Sequence, residues 1–575
     1  HWPCRPGHPP GILPGLFREG GAARPFTIEP ACFRMPILIY WMPLASARKV
    51  SMDSKFTAAL LMLVAGTASA AGPSVTAPSG TVEGLEQQNT QAFLGVPFAA
   101  PPVGQLRWRA PLPAKRWVGV RKATAFGASC MQEWPVGTFG PYTTEFVDTP
   151  AVSEDCLLLN IWKPKQGARD LPVFVFVHGG AFLGGSGAVP IYEGSGLAAR
   201  GAVVVTINYR VGVFGFLAHP GLTAESTQHT SGNYGLLDQV AALKWVQDNV
   251  AAFGGDPQRV TVSGQSAGAA SIEALLVMPA ARGLFQRAVV QSGPGIGIGS
   301  PTLAAAEQKG VEFAKGAGAA DVAQLRALTA AQVQAHMEKV MAAPGPDGGR
   351  PSVPFLPVTD GKVLPVDPDA PGSAMASNVP LIVGYTLDEA LAPSATNVAD
   401  FEKHVRTRYG ASASKLLSLY PHATDAEALE SARVLARDQY MATLVLWIEG
   451  RADAGRPPVF AYRFEQPVPV AKPPSYGAFH TAEVPYLFGA MDVKLRPWSD
   501  VDRRVSTIVQ DYWLNFMRNG DPNGLGLERW SRTPAGGVGV MALGPKPTYT
   551  TAVSTPQRMS ALREYAAAGG RLGML

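Results

Sequence analysis

Gly264-Gln265-Ser266-Ala267-Gly268 sets a serine between two glycines, where the β-branched run Val260-Thr261-Val262-Ser263 gives way to a helical pattern over 267–277. That setting suits nucleophilic chemistry. A sharp strand-to-helix turn lifts the hydroxyl above a sheet edge, glycines let backbone approach closely, and the new helix aims unpaired N–H groups at the site. A serine needs a base to take its proton. In such sites the chain order is nucleophile, acid, base, so His336, His404, His422 and His480 remain of the nine histidines. His336 falls in a helical pattern and reads as a solvated face. His404 has basic neighbours, and His422 follows Pro421 in a turn. His480, in Gly477-Ala478-Phe479-His480-Thr481-Ala482-Glu483, stands apart because no helical periodicity precedes it; a loop histidine with a structural partner is the competing reading. The acid that orients the imidazole is expected just past the carboxyl end of a strand. Asp388 and Glu389 both follow the apolar run Leu381-Ile382-Val383-Gly384, and spacing leaves the two open. Oxyanion donors are offered by His178-Gly179-Gly180-Ala181-Phe182, after the apolar run 173–177, together with the N–H of Ala267. No Lys-Ser/Thr follows those glycines, which excludes a P-loop.

These residues need a scaffold, and the chain offers one. Near-continuous apolar strands are expected at 173–177, 202–207, 260–263, 287–291, 381–383 and 459–464, with helical patterns at 236–249 and 267–277. Strands buried on both faces and alternating with helices predict an α/β fold with parallel strands. The Pro- and Gly-rich stretch 356–372 reads as a long ordered excursion rather than a linker, because the candidate residues lie on both sides of it. The 575 residues are 46% apolar and 16% charged, a globular composition. The formal net charge is +5; residues 1–70 hold seven Lys or Arg and three Asp or Glu, leaving 42 basic against 41 acidic side chains. No basic stripe points to nucleic acid.

The amino terminus reads as processing material. Met52 to Lys55 is a short charged start, 56–65 an apolar run, and Ala68-Ser69-Ala70 a small-residue cleavage site, so residues 52–70 are expected to be a signal peptide. The run is too short to span a bilayer as a mature helix, and no stable membrane anchor is expected after cleavage. Residues 1–51 begin with His1 and are rich in Pro, Gly and Arg; they are set apart as a leader outside the fold. A secreted or periplasmic protein cleaved near Ala70 follows, with one domain over 71–575. Of four cysteines, Cys4 and Cys32 fall in the leader. Cys130 and Cys156 remain, and two cysteines in an oxidising compartment favour one disulfide, which in the chain-entropy picture contributes roughly 3 kcal/mol. Two isolated cysteines without ligand spacing argue against a metal site.

Longer motifs carry a resemblance. Phe93-Leu94-Gly95-Val96-Pro97-Phe98-Ala99, Ser153-Glu154-Asp155-Cys156-Leu157-Leu158-Leu159-Asn160-Ile161-Trp162, Asn233-Tyr234-Gly235-Leu236-Leu237-Asp238-Gln239, Gly255-Asp256-Pro257, Trp513-Leu514-Asn515-Phe516 and Gly520-Asp521-Pro522-Asn523 occur in the same order as in the type-B carboxylesterases, the family that includes the cholinesterases. The sequence resembles that family over nearly all of residues 71–575. The resemblance implies an α/β-hydrolase fold, with a mostly parallel central sheet flanked by helices and large loop and helical excursions. It implies hydrolysis of a small-molecule carboxylic ester through an acyl-enzyme, without metal or organic cofactor. The family's acid is the Glu of an Asp-Glu-Gly stretch, which favours Glu389, although Ala390 replaces the usual Gly. Its base lies in a Gly-x-x-His-x-x-Glu stretch, matching Gly477, His480 and Glu483. Its oxyanion donors map to Gly180, Ala181 and Ala267, its first disulfide to Cys130 and Cys156, and a buried supporting network to Ser292 and Glu483. Two departures bear on substrate: cholinesterases carry an acid before the nucleophile and a Trp in the first disulfide loop. Here Gln265 and Phe146 stand at those places, with Trp134 also in the loop, which disfavours a quaternary ammonium. The competing functions are a non-hydrolytic cholinesterase-like binding protein and a transacylase or lyase on the same triad.

Overall fold

The structure is a computed structural model describing residues 72–573 except 133–139, 168, 294–298, 344–352, 369–377, 391–392, 454, 471–474, 492–495 and 534–538. The expected leader (1–51) and signal segment (52–70), Cys4, Cys32 and Trp134 lie outside the described residues. Valine and phenylalanine alternate along strand β9 (Leu171–Val177): Val173, Val175 and Val177 enter one hydrophobic core, Phe174 and Phe176 the other. The same partition divides Leu381, Val383 and Tyr385 from Ile382 in β13 (Leu381–Thr386). Burial of both faces is why these strands read as unbroken apolar runs.

The main sheet also holds β3 (Leu85–Glu86), β4 (Thr90–Pro97), β8 (Leu158–Pro164), β10 (Val203–Ile207), β11 (Gly255–Gln265), β12 (Arg287–Gln291), β14 (Phe460–Phe464), β15 (Val540–Leu543) and β16 (Thr548–Thr550). Among the described residues it has 11 strands in the order β16-β15-β14-β13-β12-β11-β9-β10-β8-β4-β3. The run from β15 to β10 is parallel throughout, whereas β16, β8, β4 and β3 pair antiparallel. The six expected strands are the six adjacent ones from β14 to β10. A small sheet of β1 (Ser74–Ala77), β2 (Gly80–Glu83) and β5 (Val120–Lys122) precedes them, and β6 (Ser129–Cys130) pairs β7 (Val152–Ser153) beside the Cys130–Cys156 disulfide.

Helices Tyr234–Asn249 and Ala267–Val277 follow the sequence patterns closely. Helices Val398–Tyr409, Asp425–Asp453 and Pro556–Ala567 gather around Phe401, Tyr409, Leu435 and Leu562 in a core of their own, the helical excursion. The described part of 356–372 docks on the α/β body through Asn233, whose side-chain amide donates to Val358 O and accepts from Val358 N, both at 2.8 Å.

Register brings the candidate residues to one edge. Val177 of β9 lies opposite Gly264 of β11, Gln265 opposite Gln291 of β12, and Gln291 opposite Gly384 of β13. His178, Ser266, Ser292 and Glu389 therefore all follow the carboxyl ends of neighbouring strands, where parallel sheets build sites.

Candidate active site

Ser266 sits between β11 and its helix at φ 60° and ψ −125°, a conformation that L side chains rarely adopt. Such strain costs of order 1–3 kcal/mol and persists only where the surroundings enforce it. Here Ser266 N donates to Gln291 O at 3.0 Å, and Ser266 O accepts from Ala270 N at 3.0 Å. The flanking glycines permit the turn: a Cβ on Gly264 would lie 2.3 Å from Gly268 O, and one on Gly268 would lie 2.1 Å from Val177 O.

His480 is buried in the loop after β14. Its Nδ1 lies 2.5 Å from Glu389 Oε2. Glu389 is buried, and its Oε1 accepts from Ser292 Oγ at 2.5 Å and from Thr386 N at 2.7 Å. With Nδ1–H donated to the carboxylate, Nε2 presents a lone pair to the cavity, the tautomer a general base needs. Burial works against the imidazolium, yet the charge and hydrogen bond of Glu389, with a further contribution from Glu483, outweigh it and raise the pKa above the usual histidine value. In the resting structure that lone pair accepts from Gln265 Nε2 at 3.0 Å, not from Ser266 Oγ. Sequence reasoning singled out Gln265 for its missing charge and did not foresee this contact; only the geometry brings the two side chains together.

Behind this group, Glu483 accepts at Oε1 from Gln291 Nε2 at 3.2 Å and from Tyr462 OH at 3.3 Å. Burial first, then the Glu389 charge, push its pKa up to about 7. Ser292 touches Glu389 directly, whereas Glu483 acts on it through space. Asp388, left open beside Glu389, points elsewhere: its carboxylate binds Arg437 and Ala478 N.

The glycine loop after β9 has positive φ at Gly180 (114°), Ala181 (55°) and Phe182 (59°). It is held by Leu183 N to Gly180 O at 2.9 Å, Gly212 N to Phe182 O at 2.5 Å and Tyr209 OH to His178 O at 3.0 Å. Among the described residues the N–H groups of Gly180, Ala181 and Ala267 donate to no protein acceptor. His178 is no competing base: burial depresses its pKa to about 4, and its ring stacks on Tyr209 at 4.4 Å. His336, expected on a solvated face, instead packs on the Phe313 ring at 4.6 Å, because its helix turns that side toward a neighbouring helix. His404 is half-buried, and His422 Nδ1 pairs with Tyr420 O at 2.7 Å.

Ser266, His480, Gln265 and the glycine loop line a cavity of about 210 Å3. Tyr142, Phe146, Val147, Val189 and Tyr192 form its apolar walls. Phe146 lines the cavity at the place the resemblance assigned to a Trp. The Arg496 guanidinium lies over its ring at 5.0 Å and is paired with buried Glu145 at 2.6 Å.

A mostly parallel sheet carrying a strained serine at a strand-to-helix turn, with an imidazole and a carboxylate contributed by later loops of the same edge, defines the α/β-hydrolase class. The chain matches the carboxylesterase family over residues 71–561 and belongs to it. It is 38% identical to the fumonisin B1 esterase of Sphingopyxis macrogoltabida, over 79% of this chain and 83% of that one. It is 35% identical to the para-nitrobenzyl esterase of Bacillus subtilis, over 78% and 90%. The solved structure of a thermophilic PNB esterase superposes with a TM-score of 0.72 at 33% identity, covering 85% of this chain and 99% of that one. The protein is a carboxylic ester hydrolase acting on small-molecule esters.

Proposed function

We propose that Ser266 is the nucleophile, His480 the general base and acid, Glu389 the orienting carboxylate, and the N–H groups of Gly180, Ala181 and Ala267 the oxyanion hole, with Ser292 and Glu483 supporting the carboxylate. The hydrogen bond from His480 Nδ1 to a buried carboxylate carries this reading. Substrate binding exchanges Gln265 for Ser266 at His480 Nε2. His480 then takes the Ser266 proton as Oγ attacks the carbonyl, and the three N–H groups stabilise the oxyanion. The same imidazole protonates the leaving alcohol, and water repeats the sequence to release the acid. Because His480 must be neutral to act as base and its pKa is raised, activity is lost as pH falls through that pKa. The acid limb of kcat/KM is expected above about 6.5, the unperturbed value. A stopped-flow pH series checks it; a profile flat down to pH 4 contradicts the assignment.

The preferred substrates are neutral esters with an aromatic or other apolar portion. Apart from His480, the described cavity lining holds no ionisable side chain beyond the tyrosines. Arg496 already occupies one face of Phe146, which closes that face to a substrate cation. The name of the para-nitrobenzyl esterase relative agrees with this preference. A p-nitrobenzyl ester is expected to be hydrolysed with kcat/KM at least about 100-fold above acetylcholine, a gap of roughly 2.7 kcal/mol in the barrier. Equal values would overturn the preference. Completeness of the triad weighs against a binding protein, and product analysis with alcohol acceptors separates a transacylase.

Export with a signal peptide over 52–70, and a single mature domain over 71–575, complete the proposal. The Cys130–Cys156 pairing agrees with an oxidising compartment. Among the described residues no helix is long and apolar enough to cross a membrane. The amino-terminal sequence of the exported protein tests the cleavage site.

A further inference from the structure

We infer that Asp388 is a positioning residue for His480, so that two adjacent acids share the placement of the base. Glu389 holds the imidazole, and Asp388 holds the loop that carries it. The inference rests on the proposed role of His480. Asp388 lies just past the carboxyl end of β13 and makes a parallel bridge with Phe479, the residue immediately before His480. Its backbone N–H donates to Ala478 O at 2.9 Å. Its side chain then returns the contact, Oδ2 accepting from Ala478 N at 3.0 Å. Main chain and side chain of one residue thus grip both polar groups of Ala478, two positions before the imidazole.

The grip is itself anchored. Asp388 Oδ1 accepts from Arg437 Nη2 at 2.7 Å and from Nε at 3.2 Å, a two-pronged contact from the long helix Asp425–Asp453. Both prongs fall on Oδ1, which leaves Oδ2 to Ala478 N, so the two oxygens hold separate partners. Gly477 makes room for it. The residue has φ 65°, and a Cβ there would stand 2.1 Å from Asp388 Oδ2. The glycine of the Gly-x-x-His stretch is therefore required by the carboxylate it faces. Ala478 and Phe479 are buried, and the Ala478 N–H takes Asp388 Oδ2 as its acceptor. At His480 itself, Tyr142 OH donates to the main-chain O at 2.9 Å. Asp388 at Ala478 and Tyr142 at His480 O hold the loop main chain, while Glu389 sets the ring.

Asp388 touches neither the ring nor the cavity, so its loss should displace the base without changing the pocket. In Asp388→Ala, kcat for a p-nitrophenyl ester is expected to fall about 10- to 100-fold, the scale of an ångström-size misplacement, with KM within about threefold. The downfield proton resonance of the His480–Glu389 hydrogen bond should broaden or move upfield, which general loosening elsewhere would not produce. Asp388→Asn keeps one accepting oxygen, which can serve Ala478 N while the part-exposed Arg437 turns to solvent, and should recover part of the lost kcat. Gly477→Ala reaches the same contact from the opposite side and should reproduce the kcat loss; it carries the test if Asp388→Ala does not fold. Wild-type kcat in Asp388→Ala and Gly477→Ala, or an unaltered proton resonance, overturns the inference. Failure of the proposed His480 role is distinguishable, because His480→Ala would then itself retain turnover.

Discussion

Ser266→Ala is expected to lower kcat for p-nitrophenyl acetate by about 10^6, equivalent to roughly 8 kcal/mol of barrier. Alanine keeps the Cβ and the backbone conformation at φ 60° that the sheet edge already enforces, so the substitution removes only the oxygen. That oxygen makes no hydrogen bond to His480 in the resting structure, where Gln265 occupies Nε2 at 3.0 Å. The bond from His480 to Glu389 should survive, and the melting temperature should stay close to that of the wild type. The N–H groups of Gly180, Ala181 and Ala267 also survive, so a residual acceleration of about 10^3 to 10^4 over water is expected. Active-site titration distinguishes that residue of activity from contaminating wild type. A variant with near-normal turnover would remove Ser266 from the nucleophile's role.

How much of this site could be read from the chain depends on the kind of signal each part leaves. The β11 turn was legible because a strained strand-to-helix junction leaves glycines at positions 264 and 268, each held against neighbouring backbone in the structure. The six central strands were legible because burial on both faces suppresses polar residues. The antiparallel flank was not: β8 carries buried Asn160 and half-buried Lys163, β4 contains Gly95, and β16 (Thr-Tyr-Thr) has no buried residue, so none makes an unbroken apolar run. Asp388 and Glu389 could not be separated by spacing, since neighbours in a loop share the same address. What separates them is direction. Glu389 points into the sheet edge toward Ser292, Thr386 and His480, while Asp388 points along the His480 loop toward Arg437. The expectation for His336 failed for a related reason: a helical pattern shows that a face exists, not which ring packs against it.

Direction also governs the second large effect, expected for Glu389→Gln. The wild-type carboxylate accepts at both oxygens: Oε1 from Ser292 Oγ and Thr386 N, Oε2 from His480 Nδ1. A carboxamide has one accepting oxygen and one donating nitrogen. Two donors already converge on the Oε1 position, and one of them is the main-chain N–H of Thr386, which no side-chain change removes. The amide oxygen must therefore take that position, and its NH2 group must face His480 Nδ1. An NH2 group there needs a lone pair to donate into, so the imidazole is driven into the tautomer with its proton on Nε2. That tautomer cannot accept the Ser266 proton and offers no acceptor to Gln265. The loss in kcat is expected to be about 10^4, the scale of a triad locked in the wrong tautomer. Loss of the Glu389 charge also removes a contribution that raises the pKa of His480 and of Glu483, so both should fall. Whatever activity remains should thus show its acid limb displaced to lower pH. A side chain of unchanged size leaves the fold and KM near their wild-type values, so a kcat above about a tenth of wild type would show that no carboxylate at position 389 is needed to hold the base tautomer.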